Sequence, residues 1–409
     1  MNGALSISGS NGVRLGRDHT QAAMSALTDL LSGRIEMSQF RERHEAIPKK
    51  QSLTMLVNDK CNLSCRHCYL QTDGLSRTQL NVGEWTTIID SAAEHGVSLF
   101  VLAGKEPLTG SVGPCLVEHL GDLRRQTDIR TGMITNGTLL DRHQTRIENA
   151  NFSYIDISME GDHVDNDAIR GEGAFAAARP NVEWATRLLD ERLFITMTLQ
   201  KENIVRFPSA IEAFGQLGVK SVGASSYIPL PYTDPALALS QGQLQSFFHG
   251  LDALGQLTLD HDMCVQIDVG TLAPDTLVAF MESDWFDMDS MEVDLSGFLY
   301  AGYRFCNGLS LHFRFVPWPL SISSSCRISL DGHLLAVEDS LQPRLYGRHT
   351  LCNVRDFDFD FSTSYQHALT NLRLRAIDAT YEKEVLPRLR KAYRASNSRS
   401  THRRQAITA

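Results

Sequence analysis

The chain has 409 residues, 42% hydrophobic and 21% charged, enough for two or three domain-sized units or one barrel with additions. Its formal net charge of −9 argues against general nucleic-acid binding, which needs basic surface to displace counterions. No run approaches the roughly 18 apolar residues of a membrane helix, and the opening residues lack the basic and apolar regions of a signal peptide. The expected location is the cytoplasm, with no membrane partner.

The N-terminal segment, 1–50, opens on a Gly/Ser/Asn-rich stretch expected to be disordered. Helical patterns follow near 19–32 and 36–45 and end before Pro48. From Ser52 short apolar runs alternate with amphipathic stretches. Strands are predicted at 52–58, 98–103, 130–135, 154–159, 193–199 and 221–228. Helices are predicted at 82–95, 175–190 and 205–217, among others. Six strand–helix repeats over 51–260 predict an α/β fold with a parallel sheet and right-handed crossovers. Periodicity alone leaves a closed barrel and an open sheet equally open. Either way, ligand sites belong at the C-terminal strand ends.

Residues 261–380 change character, with weak helical periodicity, punctuating glycines and clustered aromatics. Helix resumes over 365–393 with a break near Pro387. In 381–409 no acidic residue follows Glu384, while Arg388, Arg390, Lys391, Arg394, Arg399, Arg403 and Arg404 do. A solvated tail is the plain reading, and a docking strip for an acidic peptide the functional one.

The strongest chemical signal is Cys61, Cys65 and Cys68, spaced CxxxCxxC and followed by Tyr69. Thiolates are the preferred ligands of iron–sulfur clusters. Three thiolates on a four-iron cubane leave one iron open to a substrate or cofactor, as the open position of a catalytic zinc does. Zinc is the competing reading, but its fourth ligand would be His67, wedged between two of the cysteines. Eight cysteines in 409 residues make a poor disulfide framework.

This run resembles the signature of the radical S-adenosylmethionine (SAM) enzymes. The resemblance implies a partial (β/α)6 barrel over about 50–260, a [4Fe–4S] cluster held by the three cysteines, SAM on the open iron, and a flavodoxin- or ferredoxin-type electron donor. Reductive cleavage of SAM would give a 5′-deoxyadenosyl radical that takes hydrogen from substrate. Gly104-Lys105-Glu106-Pro107, after the second strand, resembles the family's Gly-Gly-Glu-Pro, whose backbone and glutamate hold the SAM amino group. Lys105 stands where glycine is usual. Asn136, in Thr-Asn-Gly after the third strand, suits either a plain turn or a ribose-side contact. By the same resemblance Ser158 would bond the ribose hydroxyls, Arg170 would meet the SAM carboxylate, and Tyr69 would belong to the cofactor site. Leu199 would pack on adenine, or be plain core.

The stretch 326–336 reads as a β-hairpin turning at Asp331-Gly332. With 351–356 it resembles a SPASM/twitch-like auxiliary extension in outline. The paired cysteines of such extensions are missing. Cys264, Cys306, Cys326 and Cys352 are widely spaced, which favours a cluster-free cap over a second cluster. The substrate is a peptide (RiPP) on one reading and a sugar, nucleoside or amino-acid intermediate on another. A non-catalytic cluster-binding scaffold is a third. No catalytic acid or base, and no oligomeric state, can be read from the sequence.

Overall fold

A computed structural model describes residues 17–47, 49–70 and 78–397. The opening segment and the end of the basic tail, including Arg399, Arg403 and Arg404, lie outside the described residues. Helices α1 (Arg17–Ser32) and α2 (Met37–Glu45) lead into β1 (Ser52–Leu56). Then α3 (Val82–His95), β2 (Leu99–Ala103), α4 (Val112–Gln126), β3 (Arg130–Thr135), α5 (Gln144–Ala150) and β4 (Tyr154–Ser158) alternate. The pattern continues through α6 (His163–Arg170), α7 (Ala174–Leu189), β5 (Leu193–Leu199), α8 (Phe207–Gln216) and β6 (Ser221–Ser226). Strands β1 to β6 pair in sequence order, all parallel, as expected of an α/β fold.

Local chemistry sets the boundaries. Asn81 accepts from the Glu84 amide, and the Glu84 side chain returns to the Asn81 amide, a reciprocal cap that starts α3. Trp85, Ile88, Ile89 and Ala92 then bury one helical stripe. Gly96, in a left-handed conformation, ends the helix.

The C-terminal half extends the same sheet at both edges. After α9 (Gln241–Gly250), β7 (Met263–Gly270) joins β6 in parallel. Beyond α10 (Pro274–Met281), β8 (Glu292–Val293), β9 (Leu299–Arg304) and β10 (Leu309–Val316) complete that edge, with β10 parallel to β7. On the other edge β11 (Ser325–Ile328) runs parallel to β1 and folds back into β12 (His333–Leu335), the hairpin expected at 326–336. Helix α11 (Tyr346–His349), β13 (Cys352–Asn353) and helices α12 (Phe361–Leu369), α13 (Leu372–Glu384) and α14 (Leu386–Asn397) follow. Among the described residues the order β13-β12-β11-β1-β2-β3-β4-β5-β6-β7-β10-β9-β8 makes one 13-stranded sheet.

The helical stretch predicted at 365–393 is three helices, broken at Asn371 and Val385. Pro387 sits in the first turn of α14 rather than at the break, where its missing amide costs nothing. Arg390 is no free docking cation. Its Nε donates to the Leu30 carbonyl (2.9 Å) and its Nη2 to that of Ile35 (3.1 Å), closing the end of α1. Among the described residues no helix is long and apolar enough to cross a membrane.

Alternation along the strands separates two faces. Ile155 and Ile157 of β4, and Ile195 and Met197 of β5, join the main core beneath the helices. On the inner face Leu99, Val101, Tyr154 and Phe194 form a separate apolar floor. The Tyr154 and Phe194 rings meet edge to face at 6.2 Å. Gly132 pairs with Tyr154 across β3–β4, and a Cβ there would lie 2.2 Å from the tyrosine ring. Glycine is what lets that ring fill the floor. Gly132→Ala is expected to cost about 1–3 kcal/mol by overpacking. Adding Tyr154→Leu should recover part of the loss; urea denaturation of the single and double variants checks this.

Candidate functional site

The cysteine loop leaves the C-terminal end of β1. Cys61, Cys65 and Cys68 are free, partly exposed thiols, and all three line one cavity of about 720 Å³ at the strand ends. The Cys61 sulfur accepts from the Leu63 amide (3.3 Å) and from Asn136 Nδ2 (3.6 Å). Burial pushes Cys65 up to about 11 and raises Cys61 and Cys68, so without a metal these thiols hold their protons at neutral pH. Among the described residues no three His, Cys, Asp or Glu side chains converge on a single metal ion. His67, the fourth ligand of the zinc reading, is buried with Nε2 3.4 Å from Glu160, and burial pushes it down to about 4. Three soft donors around a roomy cavity suit a multi-iron cluster better than one ion.

The second and third strand ends are locked by Glu106. Its side chain is fully buried and accepts from Thr135 Oγ1 (2.9 Å), the Asn136 amide (2.8 Å) and the Leu108 amide (3.1 Å). Burial still pushes it up to about 7, against these donors. Glu106 does not line the cavity, whereas Gly104, Lys105 and Asn136 do. Gly104 has φ 144°, and a Cβ there would sit 3.0 Å from Asn58 Oδ1, so the position requires glycine. Lys105 needs no such freedom, and its charge opposes the rise at Cys68. Asn136 links the loops, donating to Asn62 Oδ1 (3.0 Å) as well as to Cys61.

Tyr69, Ser158 and Arg170 also line the cavity. Arg170 donates through Nη2 to Glu160 (2.5 Å), and the Thr198 amide donates to the other Glu160 oxygen (2.8 Å). Glu160, absent from the sequence-based site, thus positions Arg170. Leu199 is not brought to the site: it belongs to the main core, on the face of β5 opposite Thr196 and Thr198. Alternation explains this. An odd step along β5 from Thr196 turns the side chain to the helices.

Sequence reasoning missed Asp156, Thr196 and Arg327 on the cavity wall. A signal for Asp156 was present: two residues before Ser158 on one strand, it must share that face. The four C-terminal cysteines are dispersed. Cys264 and Cys306 lie on or between the strands of one sheet edge, and Cys326 and Cys352 on β11 and β13 at the other.

Glu106→Ala would strand the Thr135 hydroxyl and two buried amides. A loss of about 3 kcal/mol in urea denaturation is expected, with lower iron retention as the Asn136–Cys61 contact loosens. Glu106→Gln, which keeps one acceptor oxygen, should fall between it and the parent.

Residues 55–214 match the family model of the radical SAM superfamily. The chain is 28% identical to the Fe-coproporphyrin III synthase of Methanosarcina barkeri over 40% of this chain and 41% of that protein. It is 29% identical to the PqqA peptide cyclase of Granulibacter bethesdensis over 40% of this chain and 43% of the relative. It therefore spans under half the length of these curated relatives. Its fold is similar to that of native anSMEcpe with bound AdoMet and Cp18Cys peptide, with TM-score 0.54 and 14% identity over 85% of this chain and 95% of that one. With the cysteine run and the strand-end motifs gathered at one cavity, these matches identify residues 55–214 as a radical SAM superfamily domain.

Proposed function

We propose that this chain is a radical SAM enzyme that modifies a peptide. The observation that carries the reading is the convergence of three free thiols, Asn136, Ser158 and Arg170 on one cavity of about 720 Å³. Cys61, Cys65 and Cys68 would hold a [4Fe–4S] cluster through their thiolates. Gly104, Asn136, Ser158 and Arg170 would hold SAM. When bound there, this pair supplies a 5′-deoxyadenosyl radical by reductive cleavage of SAM, with the electron coming from a flavodoxin- or ferredoxin-type donor.

The chain's own residues do the rest. Arg170 presents a guanidinium to a carboxylate while Glu160 keeps it aimed. Asn136 and the Leu63 amide donate to the Cys61 sulfur, which favours its thiolate. Glu106 acts through the backbone it braces, its oxygens held by three protein donors off the cavity wall. The apolar floor of Leu99, Val101, Tyr154 and Phe194 closes the inner face below the cavity and excludes water from that side.

A peptide substrate is supported by a relative that is a peptide cyclase and by a structural neighbour carrying a peptide. A small biosynthetic intermediate is the second reading, supported by the match to Fe-coproporphyrin III synthase.

Anaerobic reconstitution should load about four irons per chain and yield 5′-deoxyadenosine from SAM under reductant. The triple Cys61/Cys65/Cys68→Ala variant should lose both. No iron, or zinc in its place, would overturn the reading. Stimulation of SAM cleavage by pooled synthetic peptides, and not by pooled nucleosides and sugars, separates the two substrate classes.

A further inference from the structure

The cavity holds an acid to which the radical SAM reading gives no task. Asp156 lies at the middle of β4, on the inner face, one turn of the pleat below Ser158 and above the Tyr154 ring. Its side chain is fully buried, yet it lines the same cavity as the three cysteines. Among the described residues neither carboxylate oxygen has a hydrogen-bond partner of ordinary geometry. The Thr196 hydroxyl, also on the cavity wall, is likewise without one.

The neighbouring acids are in a different condition. Glu106 has three donors. Glu160 receives Arg170 and the Thr198 amide. Asp268 is paired with Arg314 and accepts from Gln266 Nε2 (2.8 Å). The charges that act on Asp156 are Asp268 and Arg170, each already held in an ion pair of its own. Burial pushes Asp156 up to about 7, Asp268 adds to the rise, and Thr196 and Arg170 oppose it. A buried carboxyl group whose one neighbouring donor, the Thr196 hydroxyl, stands outside ordinary hydrogen-bond geometry is costly, and a better donor brought into the cavity would remove that cost.

We propose that Asp156, with Thr196 beside it, anchors a protonated amine on the part of the substrate that reaches the inner face. In a peptide that amine is a lysine side chain or a free amino terminus. A cation is favoured over a neutral donor because the two nearby charges are spoken for, leaving the Asp156 charge uncompensated. This assignment rests on the radical SAM reading of the same cavity and names the chemistry of its substrate.

The test uses reconstituted, SAM-loaded protein with an oxidised cluster and three probes of one shape: n-butylammonium, 1-butanol and pentanoate, followed by ligand-detected NMR. Butylammonium should bind the parent best, and Asp156→Asn should weaken it by about tenfold or more, as for a lost hydrogen bond to a charged group. The same variant should melt at a temperature equal to or above the parent's, since it removes an uncompensated charge. Thr196→Val, a milder change, should weaken butylammonium binding by a smaller factor and serves if Asp156→Asn loads iron poorly. Equal binding of butylammonium and 1-butanol, or unchanged amine binding in both variants, would overturn the assignment. So would amine binding seen only without SAM, which would give the acid to the SAM ammonium instead. Formation of 5′-deoxyadenosine by the parent reports separately on the underlying reading.

Discussion

The buried carboxylate of Glu106 is the contact on which the mouth of this sheet depends. Three loops that leave three different strands meet around it. The Glu106 amide donates to the Lys60 carbonyl in the cysteine loop (3.0 Å). Asn58, just past β1, donates to the Glu106 carbonyl (2.6 Å). The side chain gathers Thr135 and Asn136 at the end of β3, and Asn136 in turn reaches Cys61. Parallel strands leave their C-terminal ends as separate loops with no ladder between them. A desolvated acid with several donors supplies the missing cross-links, because in a low-dielectric setting each such bond is strong and each unmade one is expensive. Gly104 belongs to the same device, since only a residue without a Cβ lets β2's end approach Asn58 so closely.

A second constraint is vertical. The inner face grades from apolar to polar along the strand direction, from Tyr154 to Asp156 to Ser158 on β4 and from Phe194 to Thr196 to Thr198 on β5. The period of two makes this grading invisible to any count of hydrophobic residues, because every intervening position is apolar and faces the helices. The apolar floor therefore stands on one level of the strands, and the polar residues that line the cavity stand on the next.

Much of this was legible in the sequence. Strands β1 to β6 and the helices between them were readable because each is an apolar run with capping and turn residues at its ends. The cysteine loop was readable because three thiols within eight positions are too dense for core filler and too few for a disulfide framework. Strand β7 was not, and its inner-face residues Cys264, Gln266 and Asp268 show why: polar side chains interrupt the sequence there, so the strand lacks the continuous apolar run expected of a buried parallel strand. Leu199 was offered to adenine from its place at a strand end, where a contiguous motif cannot say which way a side chain turns. Glu106 was readable as an acid at the right strand end, but its clasp on Thr135 and Asn136 was not, because those two donors stand at the end of a different strand.

The C-terminal half changes what the cavity can be. Rather than standing apart, it adds β7 and β10 to one edge of the sheet and β11 to the other. Its inner-face contributions include charges. Arg327 comes from β11, opposite Thr54 of β1, and reaches the cavity. Arg314 and Asp268 pair across β10 and β7. Its buried thiols, by contrast, are spent outward: Cys352 donates to the Ser364 carbonyl of α12, and Cys326 sits in the main core. Two of its cysteines thus turn to the helical layer while Arg327, Arg314 and Asp268 turn to the interior. The strands matched by the radical SAM family model carry the cysteine loop and the strand-end motifs, and the C-terminal half adds Arg327 to the wall of the same cavity.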